Sequence, residues 1–444
     1  MSILELNTNP VIKRIAVKAK CNLITPALIG SGADDNTDGD IIRDSYDNPY
    51  LPGSAIAGVL RTLLCPSHFC RRAIFGNEGD FSTNSPLWVY DSEFTNANII
   101  EIDGVAIERD NKVAKNNMKY NFEAVDEGAE FTIRLLLAIR KNGIDKNFVL
   151  WLDKIIGIMK SDSLSFGAKT NRGFGRTTCS QVVIREFDLT NKCALLKWIE
   201  FDWNDKNEWE PASGESYSGE YSVLIAELKL KGSIMIRETR NIYENPEKGK
   251  DAPDYKHISS NKKPVIYGTS WAGSFRSGLY KLLKPKFPNI KKYFNDVFGK
   301  EKEVEKEKDE DLTVSKVVFG ASYLEEQRKT VDGYRSITRV KIDRFTGGAA
   351  NGALFTEMPW YGGKTKLEIR YPKDSMDIKE LLLLGLDGIN KGVIQIGGEA
   401  SIGRGFFEVT DVTINGKEEF FDLPKKNLIN AIESFEKKVN QDDN

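Results

Sequence analysis

The feature that most constrains this chain is that it repeats itself. PYLPGSAIAGVLRTLL, starting at Pro49, returns within PVIYGTSWAGSFRSGLYKLL, starting at Pro264, with Pro49 on Pro264, Gly58 on Gly273 and Arg61 on Arg276 at a constant offset of 215. AIFGNE at Ala73 is echoed by DVFGKE at Asp296, VAIERDNKVAKNNMKYNF at Val105 by VKIDRFTGGAANGALFTE at Val340, and RGF at Arg172 by RGF at Arg404. Each half also opens with strand-like alternation, Ile15, Val17, Ala19 and Cys21 in one and Leu224, Ala226, Leu228 and Leu230 in the other. One recurring block means little, but ordered recurrence over so long a stretch points to a duplicated domain. A length of 444 residues fits two or three domains.

Each half reads as a half-buried strand, a helix, further strands, a second helix and a glycine-rich entry to a last strand. In the first half the later elements are a strand at Pro86 to Tyr90, a strand at Phe131 to Arg140, a helix around Leu150 to Met159 and the glycine-rich Phe166 to Thr178. That pattern predicts an α+β fold, an antiparallel sheet with helices on one face. The expected boundaries are 1–203 and 222–423, joined by 204–221, whose Glu, Ser and Gly with few aliphatics read as a linker or exposed loop. Lys300 to Leu312, KEKEVEKEKDEDL, reads as a solvated charged insertion. Residues 424–444 read as an amphipathic helix, with Leu428, Ile432, Phe435 and Val439 at helical spacing, packing on its own domain in preference to a partner.

A formal charge of −2 excludes a uniformly basic nucleic-acid coat but not a local basic groove. No apolar run approaches a membrane span and the start lacks a signal-peptide order, so no membrane partner and a cytoplasmic location are expected. Five cysteines without framework spacing argue for a reducing compartment.

Asp34, Asp35, Asp38, Asp40, Asp44 and Asp47 crowd a loop that closes on Pro49, Pro52 and Gly53. Ser54 is then placed to cap a helix with Ile56, Val59, Leu60 and Leu63 on one face. A helix start favours a phosphate, and a carboxylate cluster tolerates one only beside a cation or in chemistry, so a phosphodiester handled next to an acid is one reading. A solvated loop before an ordinary helix is the other. Gly167, Gly173, Gly175, Gly397, Gly398, Gly403 and Gly405 permit close backbone approach, and Lys169, Arg172, Arg176 and Arg404 beside them offer cations to phosphates. The alternative there is a tight turn with exposed Arg. Cys65, His68 and Cys70 form C-x-x-H-x-C, a candidate structural Zn²⁺ site that wants a fourth ligand, which Cys21 or Cys179 supplies only through the fold. Buried free cysteines are the competing account. His68 and His257 are the only histidines, so a twin-histidine mechanism needs both to meet.

Taken in order, the acidic loop, PYLPGSAIAGVLR, FG, IDRFTGGAANGALF and the glycine-rich RGFGR or GRGF resemble the RAMP (repeat-associated mysterious protein) superfamily of CRISPR-associated proteins. Within it the chain is similar to backbone subunits of type III effector complexes, with two domains fused as in type III-D. The resemblance covers almost the whole chain and implies two tandem modified ferredoxin-like (RRM-type) domains with thumb hairpins, assembled with other CRISPR-associated subunits on guide RNA and complementary target RNA. It makes Arg344, Phe345 and Thr346 the start of a thumb that wedges into the guide–target duplex, with Gly347, Gly348 and Gly352 as its bend; the first half keeps Ile107 and Arg109 but has Lys112, Val113 and Asn117 in place of the glycines. Many relatives carry Lys at the helix start, where this chain has Ala57 and Ala272, so phosphate contact would rest on Ser54, Thr269, Ser270 and backbone N–H groups, with Arg61 and Arg276 nearby.

In RNA-cleaving relatives a catalytic Asp precedes an Arg-acid pair; Arg43 and Asp44 match the pair, which makes Asp38 the candidate and Asp40 the runner-up. A lone carboxylate beside hydrated Mg²⁺ or Mn²⁺ would suit attack by the ribose 2′-OH on its own phosphate. The offset of 215 places Asp38 opposite Pro253, but a one-residue slip puts Asp254 there, with Asp251 as the second choice. Three classes stand: a subunit that binds guide and target RNA and cuts the target, the same scaffold without cleavage, and a guide-processing endoribonuclease.

Overall fold

The computed structural model describes residues 9–32, 39–64, 73–76, 84–107, 114–141, 147–205, 208–217, 219–238, 253–261, 263–300, 313–325, 335–420 and 426–442. Two compact units emerge: Met1–Ile102 with Tyr120–Thr170 and Phe174–Gly219, and Glu220–Asn444 with Asp103–Lys119 and Asn171–Gly173.

In the first unit the alternation at the start becomes β1 (Val11–Leu23), whose Ile15, Val17, Ala19 and Cys21 all face the core. It is followed by α1 (Gly53–Leu64), β2 (Leu87–Val89), β3 (Glu130–Arg140), α2 (Phe148–Lys160) and β4 (Thr177–Asp188). The strands run antiparallel in the order β4-β1-β3-β2. Ile56 and Leu60 of α1 and Leu152, Ile155 and Ile156 of α2 bury against Ile133, Leu135 and Leu137 of β3, so both helices cover one face. The second unit repeats this plan with β5 (Tyr221–Lys231), α3 (Gly268–Leu283), β6 (Val318–Phe319), β7 (Lys364–Pro372), α4 (Met376–Asn390) and β8 (Phe406–Ile414), in the order β8-β5-β7-β6. A βαββαβ chain with its last strand beside its first is the ferredoxin-like arrangement. The fold is α+β, built twice.

The repeat has a physical cause at the helix starts. Gly53 and Gly268 are the first residues of α1 and α3, and a Cβ there would stand 2.4 Å from the Val89 carbonyl oxygen and 2.0 Å from that of Phe319, on β2 and β6. Only glycine lets the helix begin so close to the strand edge. The same geometry corrects the expected cap. Ser54 lies inside α1, exposed, while the Gly53 N–H donates to the Asp91 carboxylate at 2.6 Å and the Ala55 and Ile56 N–H groups donate to the Pro52 carbonyl.

The segment 204–221 is no free linker. Glu210 and Pro211 pair with Ile184 and Val183 as an edge strand on β4, Ala212 is buried in the core, and the Glu215 N–H donates to the Asp153 carbonyl of α2. Ahead of it a helix at Lys192–Ile199 carries Trp198, which with Phe201, Trp203 and Trp209 covers Ala16, Leu136 and Phe187 on the face of the sheet away from α1 and α2. Single aromatics among polar residues gave no periodic signal for this cover. Final helix α5 (Lys426–Asp442) buries Leu428 and Ile432 in the second unit's own core, where Glu380 of α4 accepts from the Leu428 N–H at 2.9 Å. The charged run 301–312 lies outside the described residues.

Candidate RNA-contact site

The glycine-rich loops superpose in backbone conformation, residue by residue. Gly167, Gly173 and Gly175 have φ of 92°, 82° and 69°, and Gly397, Gly403 and Gly405 have 83°, 88° and 76°, an offset of 230. Lys169 and Glu399 share the left-handed region at 57° and 62°, and Thr170–Arg172 and Ala400–Ile402 form the same short 3-10 turn. A Cβ on Gly175 would stand 1.8 Å from the Phe166 carbonyl oxygen, and one on Gly405 2.0 Å from that of Ile396. What is repeated is therefore the G-x-G turn, and the identical RGF triplets, 232 apart, mislead: Arg404 matches Phe174, and Arg172 matches Ile402.

This corrects the role of Arg404. Its side chain is 3% exposed and donates through Nη2 to Glu357 at 2.9 Å and through Nη1 to Glu399, so no phosphate reaches it. Lys169, Arg172 and Arg176 correspond to Glu399, Ile402 and Phe406, so the cationic loop belongs to the first half alone. Arg172 is exposed; Lys169 is half-buried with its Nζ 3.5 Å from the centre of the Phe122 ring, and Arg176 is half-buried.

Arg276 is also engaged within the fold, donating to Asn295 Oδ1 at 2.9 Å and to the Phe298 carbonyl at 3.4 Å, which ties α3 to the helix Lys291–Phe298. Its partner by repeat, Arg61, is exposed. Thr269 and Ser270 sit half-buried in the first turn of α3, where no side chain caps the helix.

The thumb of the second half pairs Ile337–Ile342 with Ala349–Met358, with a register shift between Val340 and Ile342. At its tip the Asp343 carboxylate accepts from the Phe345 and Thr346 N–H groups at 2.8 and 2.9 Å, which holds its pKa below the ordinary range. Gly347 closes the turn at φ 67°, leaving Arg344 exposed and Phe345 fully exposed. The first hairpin pairs Ile99–Ile107 with Ala114–Val125. Arg109 lies outside the described residues.

Of the candidate acids, Asp38 and Asp251 lie outside the described residues, as do Cys65, His68 and Cys70. Asp40 is buried at 9% exposure, which argues against direct work on a phosphodiester. Asp44 shapes the following turn, accepting from the Tyr46 and Asn48 N–H groups at 2.8 and 2.9 Å, which lowers its pKa. Arg43 is clamped to Glu123, Nη2 lying 3.1 Å from both carboxylate oxygens.

A one-residue slip from the offset of 215 is present at Ile41 and Ile42, the described strand that Asp38 precedes in sequence. The Ile42 N–H donates to Ile29 and the Ile258 N–H to Ile236, Ile41 pairs with Gly30, and His257 pairs with Arg237, all at an offset of 216 on this strand. The offset returns to 215 at Pro49 and Pro264, because the second turn is one residue shorter. Asp254 is exposed; its N–H donates to the Thr356 carbonyl at 2.8 Å and its Oδ2 accepts from the Thr356 N–H at 2.7 Å.

His257 is fully buried, its Nδ1 accepts from the Ile236 N–H at 3.1 Å, and burial pushes its pKa down to about 3, so it is neutral and out of reach of RNA. Cys21 is buried and sits opposite Cys179 across β1 and β4, and burial raises its thiol pKa. Among the described residues no group of three or more His, Cys, Asp or Glu is placed to hold a metal, and no helix is long and apolar enough to cross a membrane.

Comparison with known families adds the deciding observation: the model of the RAMP superfamily matches residues 20–178 and, a second time, residues 228–408. The chain belongs to the RAMP superfamily. The two matches fall one on each ferredoxin-like repeat, so this is a RAMP protein with tandem RAMP domains, and membership makes it a CRISPR-associated RNA-binding protein. RAMP proteins bind RNA and other CRISPR subunits. A search of curated proteins finds no match to this RAMP chain.

Proposed function

We propose that this RAMP protein is a fused backbone subunit of a type III effector complex, of the III-D kind, that holds guide RNA and complementary target RNA and cuts the target. The observation that carries the reading is the combination, in one chain, of two RAMP matches, a cationic glycine-rich loop and a thumb tip that presents Phe345 fully to solvent. Arg172 and Lys169 contact phosphates without reading sequence, and Phe345 parts stacked bases.

Cleavage is assigned to Asp38 in the first domain. The attacking oxygen is the ribose 2′-OH, which gives up its proton to solvent water and bonds to the adjacent phosphorus as the bond to the 5′-oxygen breaks; the departing 5′-oxygen takes a proton from water, leaving a 2′,3′-cyclic phosphate and a 5′-OH. A hydrated Mg²⁺ or Mn²⁺ held by the Asp38 carboxylate would supply charge neutralisation at the phosphate. Asp254 suits the same role in register and exposure, its Oδ2 being fixed by the Thr356 N–H. That hydrogen bond equally favours a second reading for this half, a scaffold whose Asp ties the thumb base in place. A histidine-based guide-processing mechanism is disfavoured by the burial of His257.

The test is the assembled complex on labelled target RNA, with and without chelator. Chelator-sensitive cuts only in guide-matched RNA support the reading. Binding without cutting leaves the scaffold, and cleavage of precursor repeat RNA by the lone protein replaces it with guide processing.

A further inference from the structure

Below the second thumb lies a cluster of ion pairs that the first domain does not repeat. Arg237, Tyr255, Glu357, Glu399 and Arg404 occupy the positions that in the first repeat are Gly30, Gly39, Phe122, Lys169 and Phe174. In the first domain Phe122 meets Phe174 edge to face, ring centres 5.8 Å apart. In the second, Glu357 takes the Phe122 position with 0% exposure, and Arg404 takes that of Phe174. Around this buried pair Arg237 Nη2 reaches Glu399 at 2.8 Å and Glu357 at 3.9 Å, and Arg339 Nη2 reaches Glu357 at 3.4 Å.

Three guanidinium groups face two carboxylates, an excess of one positive charge. The excess is on the surface: Arg404 is sealed in, whereas the Arg237 and Arg339 side chains are 49% and 32% exposed. Each of those two engages its carboxylates through Nη2 in the described contacts, and a guanidinium carries five N–H donors. Arg237 is further steadied by lying 4.2 Å over the Tyr255 ring. Preorganised forks of this kind suit a phosphate oxygen better than freely rotating lysines do. The cluster also stands one residue along both strands from the candidate acid: Asp254 precedes Tyr255, and its hydrogen-bond partner Thr356 precedes Glu357.

We infer that Arg237 and Arg339 form a phosphate-binding site for the RNA backbone in the second domain, replacing the glycine-loop cations that this domain has lost and holding a phosphodiester beside Asp254. The inference rests on the RNA-binding reading above and deepens it. The buried Glu357 and Arg404 act as positioning residues, fixing the two exposed forks.

The experiment uses the full chain and a fluorescein-labelled single-stranded RNA of mixed sequence, with affinity followed against salt. Two lost phosphate contacts lower the slope of log K against log salt by about 1.4, so the Arg237→Gln/Arg339→Gln variant loses about 7-fold less affinity than wild type between 50 and 200 mM salt. Arg237→Gln alone lowers the slope by about half as much, and it leaves Glu399 paired with Arg404, which keeps the test open should the double variant unfold. Arg237→Lys restores most of the slope. An unchanged slope in folded Arg237→Gln, with wild type still steep, overturns the inference and leaves the RNA-binding reading standing. A wild-type slope near zero overturns both.

Discussion

Exchanging the buried ion pair of the second domain for the aromatic pair of the first gives a prediction with a sign on every arm. Removing one member of a buried pair costs about 3–5 kcal/mol, because the other charge is left without water or partner. In Arg404→Phe the stranded Glu357 still has Arg339 at 3.4 Å and Arg237 at 3.9 Å, and Glu399 keeps Arg237 at 2.8 Å. The cost therefore falls at the low end, about 3 kcal/mol. Glu357→Phe leaves Arg404 with Glu399 alone and costs about as much. The double variant Glu357→Phe/Arg404→Phe recreates Phe122 and Phe174 on a backbone that already matches theirs, and replacing a buried pair by packed apolar groups is often neutral or stabilising by about 1–4 kcal/mol. It should lie within about 2 kcal/mol of wild type, a coupling of at least about 4 kcal/mol in the cycle. Tryptophans in both domains blur a fluorescence melt, so the readout is hydrogen exchange of β7 and β8 in increasing urea. If the double variant falls by the sum of the singles, the equivalence of the two pairs is wrong.

Other outcomes follow from the same geometry. Asp38→Ala should remove one cleavage product while leaving target affinity nearly unchanged; unaltered cutting would withdraw the assignment. Asp254→Asn keeps an oxygen for the Thr356 N–H and removes the charge, so a second cut lost in this variant marks a second active site, whereas a pattern indifferent to it leaves the domain as scaffold. Because His257 is held neutral with a pKa of about 3, the unfolded state binds the extra proton below pH 6.5, and stability should fall by about 1.4 kcal/mol per unit as pH drops from 6.5 towards 3. Comparing urea midpoints of wild type and His257→Gln across that window checks it, since the variant should lose that part of the slope. Removing Arg172 should weaken RNA binding equally across sequences and flatten its salt dependence; a sequence-dependent loss would exclude a phosphate contact.

The duplicated architecture was legible because its causes are local. Alternation placed Leu224, Ala226, Leu228 and Leu230 in the core, and Gly53 and Gly268 repeat because each meets a strand carbonyl that admits no Cβ. The site was less legible. Identical letters paired Arg172 with Arg404, whereas what the two repeats share is the positive φ of the glycines in the G-x-G turn, Gly173 and Gly175 against Gly403 and Gly405, which a three-letter match cannot weigh. Whether Arg276 is open to RNA depends on Asn295 and the Phe298 carbonyl, far along the chain, and the same is true of Asp91 displacing Ser54 as the cap. The register of Asp254 was open only because the turn before Pro264 is shorter by one residue, a length change visible in sequence but placeable only through strand pairing.

The short strand at Glu210–Pro211 bears on how such a protein joins its neighbours. It occupies the outer edge of β4, and proline, lacking an N–H, cannot continue a ladder outward. At the opposite edge β2 offers only three residues. Over Val183 and Ile184 the first domain's sheet is thereby blunted, so a neighbouring strand added at that point would meet a residue with no N–H to offer.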